Sequence, residues 1–339
     1  MPEASVVTPC TPSMSPVTTL SPPANSGKFN VRYWAGPLIF GLLFFGMLLF
    51  MPYTAGYADH RLTMRVWIMG GWADPTWQHG MLALPIAIFL AWRKRHILAD
   101  IPVKASWLGL FTAMIAMIFF WIGYRGNFYY LGFFGIHLLI ASAVLWIWGW
   151  RHFVTVSFAL VMLTFMWPYL FMEDLIAFKL RFLMVNFTEK VLNLIGIATI
   201  QDGTRLLSAA VDGRAQGDLF RMNIDGPCSG LRSLFALMMV SALFGYFRQR
   251  TFWRRALLFS LSVPLAVLAN AFRIIILTIA TILFGEQFAL GNGEEYTSNF
   301  HLLTGLFMFV VALGGLASAE WFLNRFVRKE KPLVLMEER

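Results

Sequence analysis

A succession of apolar runs, each near the ~20 residues that cross a bilayer as a helix, constrains this chain more than any other feature. The runs are about Trp34 to Pro52, the short Met81 to Trp92, Trp107 to Tyr124, Phe128 to Trp150, Phe153 to Phe171, Cys228 to Phe247, Ala256 to Phe284 and His301 to Phe326. With 58% apolar and only 13% charged residues, the chain is too apolar for a soluble domain. The expected fold is an all-α polytopic membrane protein with about eight transmembrane helices. The net charge of +9 does not point to nucleic acid, because Lys and Arg fall in short clusters between the apolar runs, as orientation signals do. Residues 1–30 are rich in Ser, Thr and Pro and read as a disordered cytoplasmic tail without the pattern of a secretory signal peptide. Residues 31–326 form one membrane domain, and 327–339 a basic cytoplasmic tail.

Basic clusters at 93–95, Arg151, 248–255 and 325–331 mark the cytoplasmic side. The opposite loops are relatively acidic, with Asp59, Asp74, Glu173, Asp174, Glu286, Glu294 and Glu295. Residue 172 and Cys228 then both lie outside, so the chain between them crosses an even number of times. The stretch 201–227 is too polar to cross. Residues 175–200 are apolar but carry Lys179, Arg181, Glu189 and Lys190, which suits an amphipathic helix lying in the plane of the outer interface. After it, Thr204 to Leu207 and Leu219 to Ile224 are expected to pair as a short extracytoplasmic hairpin around Asp212-Gly213.

The chemistry concentrates at the start of the third-last run. In Asp225-Gly226-Pro227-Cys228-Ser229-Gly230-Leu231-Arg232-Ser233 a thiol stands where a polar segment becomes an apolar helix. Gly226 and Pro227 end what precedes, and Pro suits a first helical turn. A helix N-terminus favours thiolate, and Arg232, four residues on, shares a helix face with Cys228. Cys228 is therefore expected to be reactive near neutral pH. A lone membrane cysteine is otherwise a small buried hydrophobe, and the other cysteine, Cys10, lies in the polar tail. Two such cysteines offer neither a disulfide framework nor a zinc site, and no cofactor is implied.

Intramembrane ionisable residues are functional candidates by default. Arg273 follows Arg255 by 18 residues, about 27 Å along a helix, which places it near the outer side. Asn270 is on the same face, and His301 opens the last run, again outside. An arginine can also snorkel to headgroups, and a histidine at a helix start can be incidental. The convergence decides the reading: Cys228, Arg273 and His301 come from the last three helices and reach one membrane face at similar depth. A cysteine nucleophile, a base and a permanent cation are what acyl transfer requires. Arg232, Asn270 and Ser229 are supporting candidates. Trp77 and His79 could line a substrate entrance or anchor the interface. Glu294, Glu295 and His301 have no trusted metal-ligand spacing.

Cys228-Ser229-Gly230-Leu231-Arg232-Ser233, then Asn270-Ala271-Phe272-Arg273, then His301, resemble the exosortase/archaeosortase family of integral-membrane cysteine transpeptidases. Asp74-Pro75-Thr76-Trp77-Gln78-His79-Gly80 and Leu192-Asn193-Leu194-Ile195-Gly196-Ile197 add to the resemblance, which runs in family order over roughly 35–325. It implies catalytic Cys228, Arg273 and His301. It also implies exported, membrane-anchored substrates with a C-terminal sorting tail: a short motif, a transmembrane helix and a basic end. The enzyme would sit in a prokaryotic cytoplasmic (inner) membrane with its active site on the extracytoplasmic side. It would cut beside the motif and pass the acyl group to an acceptor. Gly226-Pro227 departs from the acidic-Ala step common in the family, which leaves subclass and recognised motif open. The competing readings are a transporter or lipid-linked carrier that binds an anionic substrate through Arg273, and a structural scaffold. A carrier tolerates Cys228→Ser; a cysteine acyltransferase does not.

Overall fold

The computed structural model describes residues 41, 44–56, 59–171, 178–211, 213–224, 230–291 and 298–327. The chain divides into a unit of Met1–Met47, whose described residues are helical, and a unit of Leu48–Arg339, to which all that follows belongs. The expected tails, 1–30 and most of 327–339, lie outside the described residues, as do Glu173, Asp174, Asp212, Glu294 and Glu295.

Helix dominates. Among the described residues, four helices are long and apolar enough to cross a membrane: α4 (Trp107–Gly126), α5 (Tyr129–Ile147), α9 (Phe252–Phe284) and α11 (Asn299–Val327, apolar to Arg325). Two shorter apolar helices are α2 (Gly80–Arg93) and α6 (Trp150–Leu163), the latter extended by a 3₁₀ turn to Met166. The chain is thus a helical, polytopic membrane protein. α2 has 14 residues, ~21 Å, and falls short of a ~30 Å hydrocarbon core. It packs against α6 through Ala83, Ala87, Leu90, Ala159, Leu160 and Leu163, and Met239 of α8 (Leu231–Arg248) joins that cluster.

The outer parts hold elements that the apolar pattern does not announce. Strands β1 (Pro52–Thr54) and β2 (Leu62–Thr63) pair, and Thr63 then caps α1 (Met64–Ala73) by accepting from the Val66 N–H. The α4–α5 turn is made by Asn127 at φ 61°, a left-handed position that asparagine tolerates. The Asn127 Oδ1 accepts from the Ala55 N–H at 2.7 Å. One side chain therefore closes the helical hairpin and ties β1 to it. A short α3 (Arg95–Asp100) follows α2 on the basic side.

The helix expected over 175–200 is present as α7 (Phe178–Leu194). It buries Met184, Val185, Thr188 and Leu192, one helical stripe, while Phe178, Phe182, Leu183 and Leu194 stay exposed. β4 (Arg205–Ser208) pairs antiparallel with β5 (Arg221–Asn223), with Leu206 opposite Met222. The sheet has a third strand, β3 (Thr199–Asp202), which pairs with the other edge of β4. Its first residues, Thr199 and Ile200, belong by composition to the preceding apolar run 175–200. Asn193 marks the break: its side chain bonds both the N–H and the C=O of Thr199, at 2.8 and 3.0 Å. Gly196, at φ 89°, makes the turn between them.

α9 organises the C-terminal half. Its 33 residues span ~50 Å, ~20 Å more than a hydrocarbon core. Its far end is wrapped: Ile274, Ile275 and Leu277 share a buried cluster with Val185 and Leu192 of α7 and with Leu206, Met222 and Ile224 of the sheet. α8 and α11 flank its middle, where Leu234, Phe235 and Leu237 meet Ala266, Ala269, Met308 and Ala312. The short α10 (Glu286–Ala289) follows α9.

Candidate active site

Three helices bring the polar candidates together. α8 begins at Gly230, in the left-handed region at φ 70°. A Cβ there would lie 2.7 Å from Cγ and Nδ2 of Asn270. Conformation and space both demand glycine at this step, and its absent side chain lets the start of α8 rest on α9. Asn270 is 3% exposed and its Nδ2 donates to Met184 Sδ at 3.3 Å, which ties α7 to the same point. Ser233 Oγ donates to the Gly230 carbonyl at 2.8 Å and so braces the first turn of α8.

One turn above Asn270, Arg273 Nη2 donates to the backbone carbonyl of His301 at 3.1 Å. Gly305, one turn along α11, makes room for this: its Cβ would sit 3.0 Å from Arg273 Nη2 and 3.1 Å from Cζ. His301 is buried. Its carbonyl also accepts from Thr304 Oγ1 at 2.9 Å. A cavity of about 350 Å³ opens here. It is lined by Gly230, Arg232 and Ser233 of α8, by Arg273 of α9, and by His301, Leu302, Gly305, Leu306 and Phe309 of α11. Its polar lining carries two guanidiniums and an imidazole, and Leu302 and Leu306 are more than half exposed apolar residues at its edge. A narrow void of about 30 Å³ continues beneath it between Asn270, Ser233 and Met308.

The structure therefore brings Arg232, Arg273 and His301 to one cavity, with Asn270 under the α8 start. Cys228 and Ser229 lie outside the described residues. Trp77 and His79 do not line this cavity. Trp77 is 3% exposed and stacks on Phe235 at 4.6 Å between ring centroids, inside the cluster of α8, α9 and α11. It is a core residue beneath the site, neither entrance nor interfacial anchor, because the 74–79 turn inserts toward the bundle. His79 also stacks on Phe235, at 6.0 Å between ring centroids, and its ring is 6.0 Å from that of Trp77. Its Nδ1 is 3.1 Å from the Thr76 carbonyl, and its Nε2 is buried without a partner among the described residues. Burial lowers the His79 pKa from 6.5, and the Thr76 bond opposes this in part.

Two residues that sequence reasoning passed over belong to the site's frame. Gly305 admits the Arg273 guanidinium. Ser298 caps α11, with Oγ accepting from the His301 N–H at 3.0 Å. A serine three residues before His301, at the start of an apolar run, was the readable signal for the cap.

A polytopic helical membrane protein with a cationic, histidine-bearing cavity at the end of three packed helices is the class that fold and site define. The family model for transmembrane exosortases matches residues 71–318, most of the chain, from α1 to near the end of α11. The chain belongs to the transmembrane exosortase family. Comparison with curated proteins and with solved structures gave no match.

Proposed function

We infer that this exosortase is a membrane cysteine protease and transpeptidase that acts through Cys228, Arg273 and His301. The observation that carries the reading is the single cavity shared by the start of α8, Arg273 and His301. Cys228 precedes the cavity-lining Gly230 by two residues. Consecutive Cα atoms are 3.8 Å apart, so chain connectivity keeps the Cys228 Cα within ~7.6 Å of that of Gly230.

In this mechanism the Cys228 thiolate attacks the substrate carbonyl. The tetrahedral intermediate collapses to a thioester as the C–N bond breaks, and His301 gives a proton to the leaving amine. His301 then takes a proton from the incoming nucleophile, which displaces Cys228. Arg273 donates to the developing oxyanion, since its charge is permanent and it cannot act as a base. A guanidinium has five N–H donors, so anchorage on the His301 carbonyl is compatible with donation into the cavity. The substrates are exported proteins held by a C-terminal motif, transmembrane helix and basic tail. The enzyme resides in a prokaryotic inner membrane with the cavity on the extracytoplasmic side and α7 in the outer interface.

The test compares the C-termini of exported proteins in host cells that carry the wild-type enzyme or Cys228→Ala. The wild-type cells should contain a set of proteins cut before a C-terminal transmembrane segment, and the Cys228→Ala cells the same proteins uncut. Identical C-termini in both strains would overturn the reading.

A further inference from the structure

We propose that Ser298 is a positioning residue for His301, which sets the place of the imidazole at the cavity. The proposal rests on the reading of His301 as the partner of Cys228. Ser298 is 5% exposed, and the bonds of its hydroxyl and of its N–H meet at one point. Its Oγ accepts from the His301 N–H at 3.0 Å and donates to the Ala289 carbonyl at 3.0 Å. Its own N–H donates to the Leu290 carbonyl at 3.1 Å. The first N–H groups of a helix have no intrahelical partner, and His301 stands at the position whose N–H a serine cap receives. The hydroxyl thus joins the start of α11 to the end of α10.

His301 is held from both sides as a result. Ser298 fixes its N–H, while Arg273 and Thr304 fix its carbonyl. A backbone gripped at both ends leaves the imidazole only its own side-chain torsions. Without the hydroxyl, the first turn of α11 keeps the pull of Arg273 and loses the opposing tie to Ala289. The imidazole then moves relative to the α8 start, a displacement that proton transfer does not tolerate.

The experiment uses the full chain in membranes, with Cys10→Ser so that Cys228 is the one remaining thiol. The rate of Cys228 alkylation by iodoacetamide is followed from pH 5.5 to 9. Arg232 and Arg273, the charged groups that line the cavity with His301, are kept in every variant. His301→Ala should raise the midpoint by ~1 pH unit, as expected for loss of the imidazole paired with the thiolate. Ser298→Ala should raise it in the same direction by less, and Ser298→Thr, which keeps a capping hydroxyl, should restore the wild-type profile. In the His301→Ala background, Ser298→Ala should add nothing, because it acts through that imidazole.

A wild-type profile for Ser298→Ala beside a shifted His301→Ala would overturn the proposal. So would an equal shift from Ser298→Ala in both backgrounds, the mark of a general effect on the fold. If His301→Ala itself leaves the profile unchanged, the pairing of Cys228 with His301 falls and this proposal with it. Should Ser298→Ala fail to accumulate, Ser298→Gly replaces it, since glycine is a tolerated cap that lacks the hydroxyl; the same outcomes decide.

Discussion

Helices α8, α9 and α11 carry polar groups at both ends, and the two ends use them differently. At one end Arg232, Arg273 and His301 face a cavity of about 350 Å³. At the other, some ~27 Å away along α9, the polar groups close on one another. Glu320 of α11 is 5% exposed and accepts from Gln249 Nε2 at 3.3 Å, from Asn324 Nδ2 at 2.5 Å and from the largely exposed Arg248 at 3.4 Å. Gln249 Nε2 also reaches Asn324 Oδ1 at 3.1 Å, and Arg255 Nε of α9 donates to the Gln249 carbonyl at 2.8 Å. Every helix of the trio contributes to both sets. These mutual bonds make a clasp that fixes helix against helix, although the buried Gln249 Oε1 has no partner among the described residues. On the proposed function, the polar groups that border open space beside the Cys228 motif are kept for a substrate. The contrast separates function from architecture without appeal to residue type, since arginine serves at both ends.

Substitution should separate the two ends in kind. The largest effect is expected at the open end. Arg273→Lys keeps the charge but loses the planar fork that meets the His301 carbonyl and the oxyanion. Cleavage of exported proteins should fall by ~10²–10³, the usual cost of one oxyanion donor, with little change in thermal unfolding. Wild-type rates in Arg273→Lys would remove the oxyanion role and make Arg232 the next candidate. At the closed end the reverse is expected. Glu320→Ala leaves the buried Gln249 without its carboxylate acceptor and should cost about 1–3 kcal/mol of stability, the penalty for a stranded buried polar group. Cleavage per folded molecule should stay within about twofold. If Glu320→Ala loses activity without losing stability, the clasp is more than structural.

The smallest effect concerns His79, beneath the open end. Its buried imidazole has a pKa below the usual 6.5. As pH falls through that value the unfolded chain takes up a proton that the folded chain refuses, so this site's stability is full above it and declines below it. His79→Phe, which keeps the stack on Phe235, should flatten the acid side of the unfolding-temperature profile. An unchanged acid slope would show that His79 accepts a proton in place.

The sequence made the long helices readable because a bilayer imposes a length and a polarity that a single chain displays. The same logic of sidedness carried Arg273 and His301, 28 residues apart, to one face, and α8 and α11 do meet α9 there. What stayed hidden was decided by neighbours distant in the chain. β3 sat inside an apolar run because its pairing with β4 and its tie to Asn193 are not visible in composition. α1 and the β1–β2 pair were passed over because they are short and not strongly apolar. Trp77 reads as an entrance or interfacial residue because aromatic residues beside a membrane helix often are, yet it stacks on Phe235 inside the core cluster. Gly230 was legible as part of a motif but not for its reason, the lack of room against Asn270.

The central claim is covalent chemistry at Cys228, and mass spectrometry of the Cys228-containing peptide tests it most directly. Enzyme taken from cells that process exported proteins is quenched in acid and digested. The account predicts a fraction of that peptide acylated through sulfur by the cut end of a processed protein, released by hydroxylamine. His301→Ala should retain that adduct where it is formed, since deacylation needs the base. Processing of the same proteins with Cys228 unmodified in both enzymes would contradict the account.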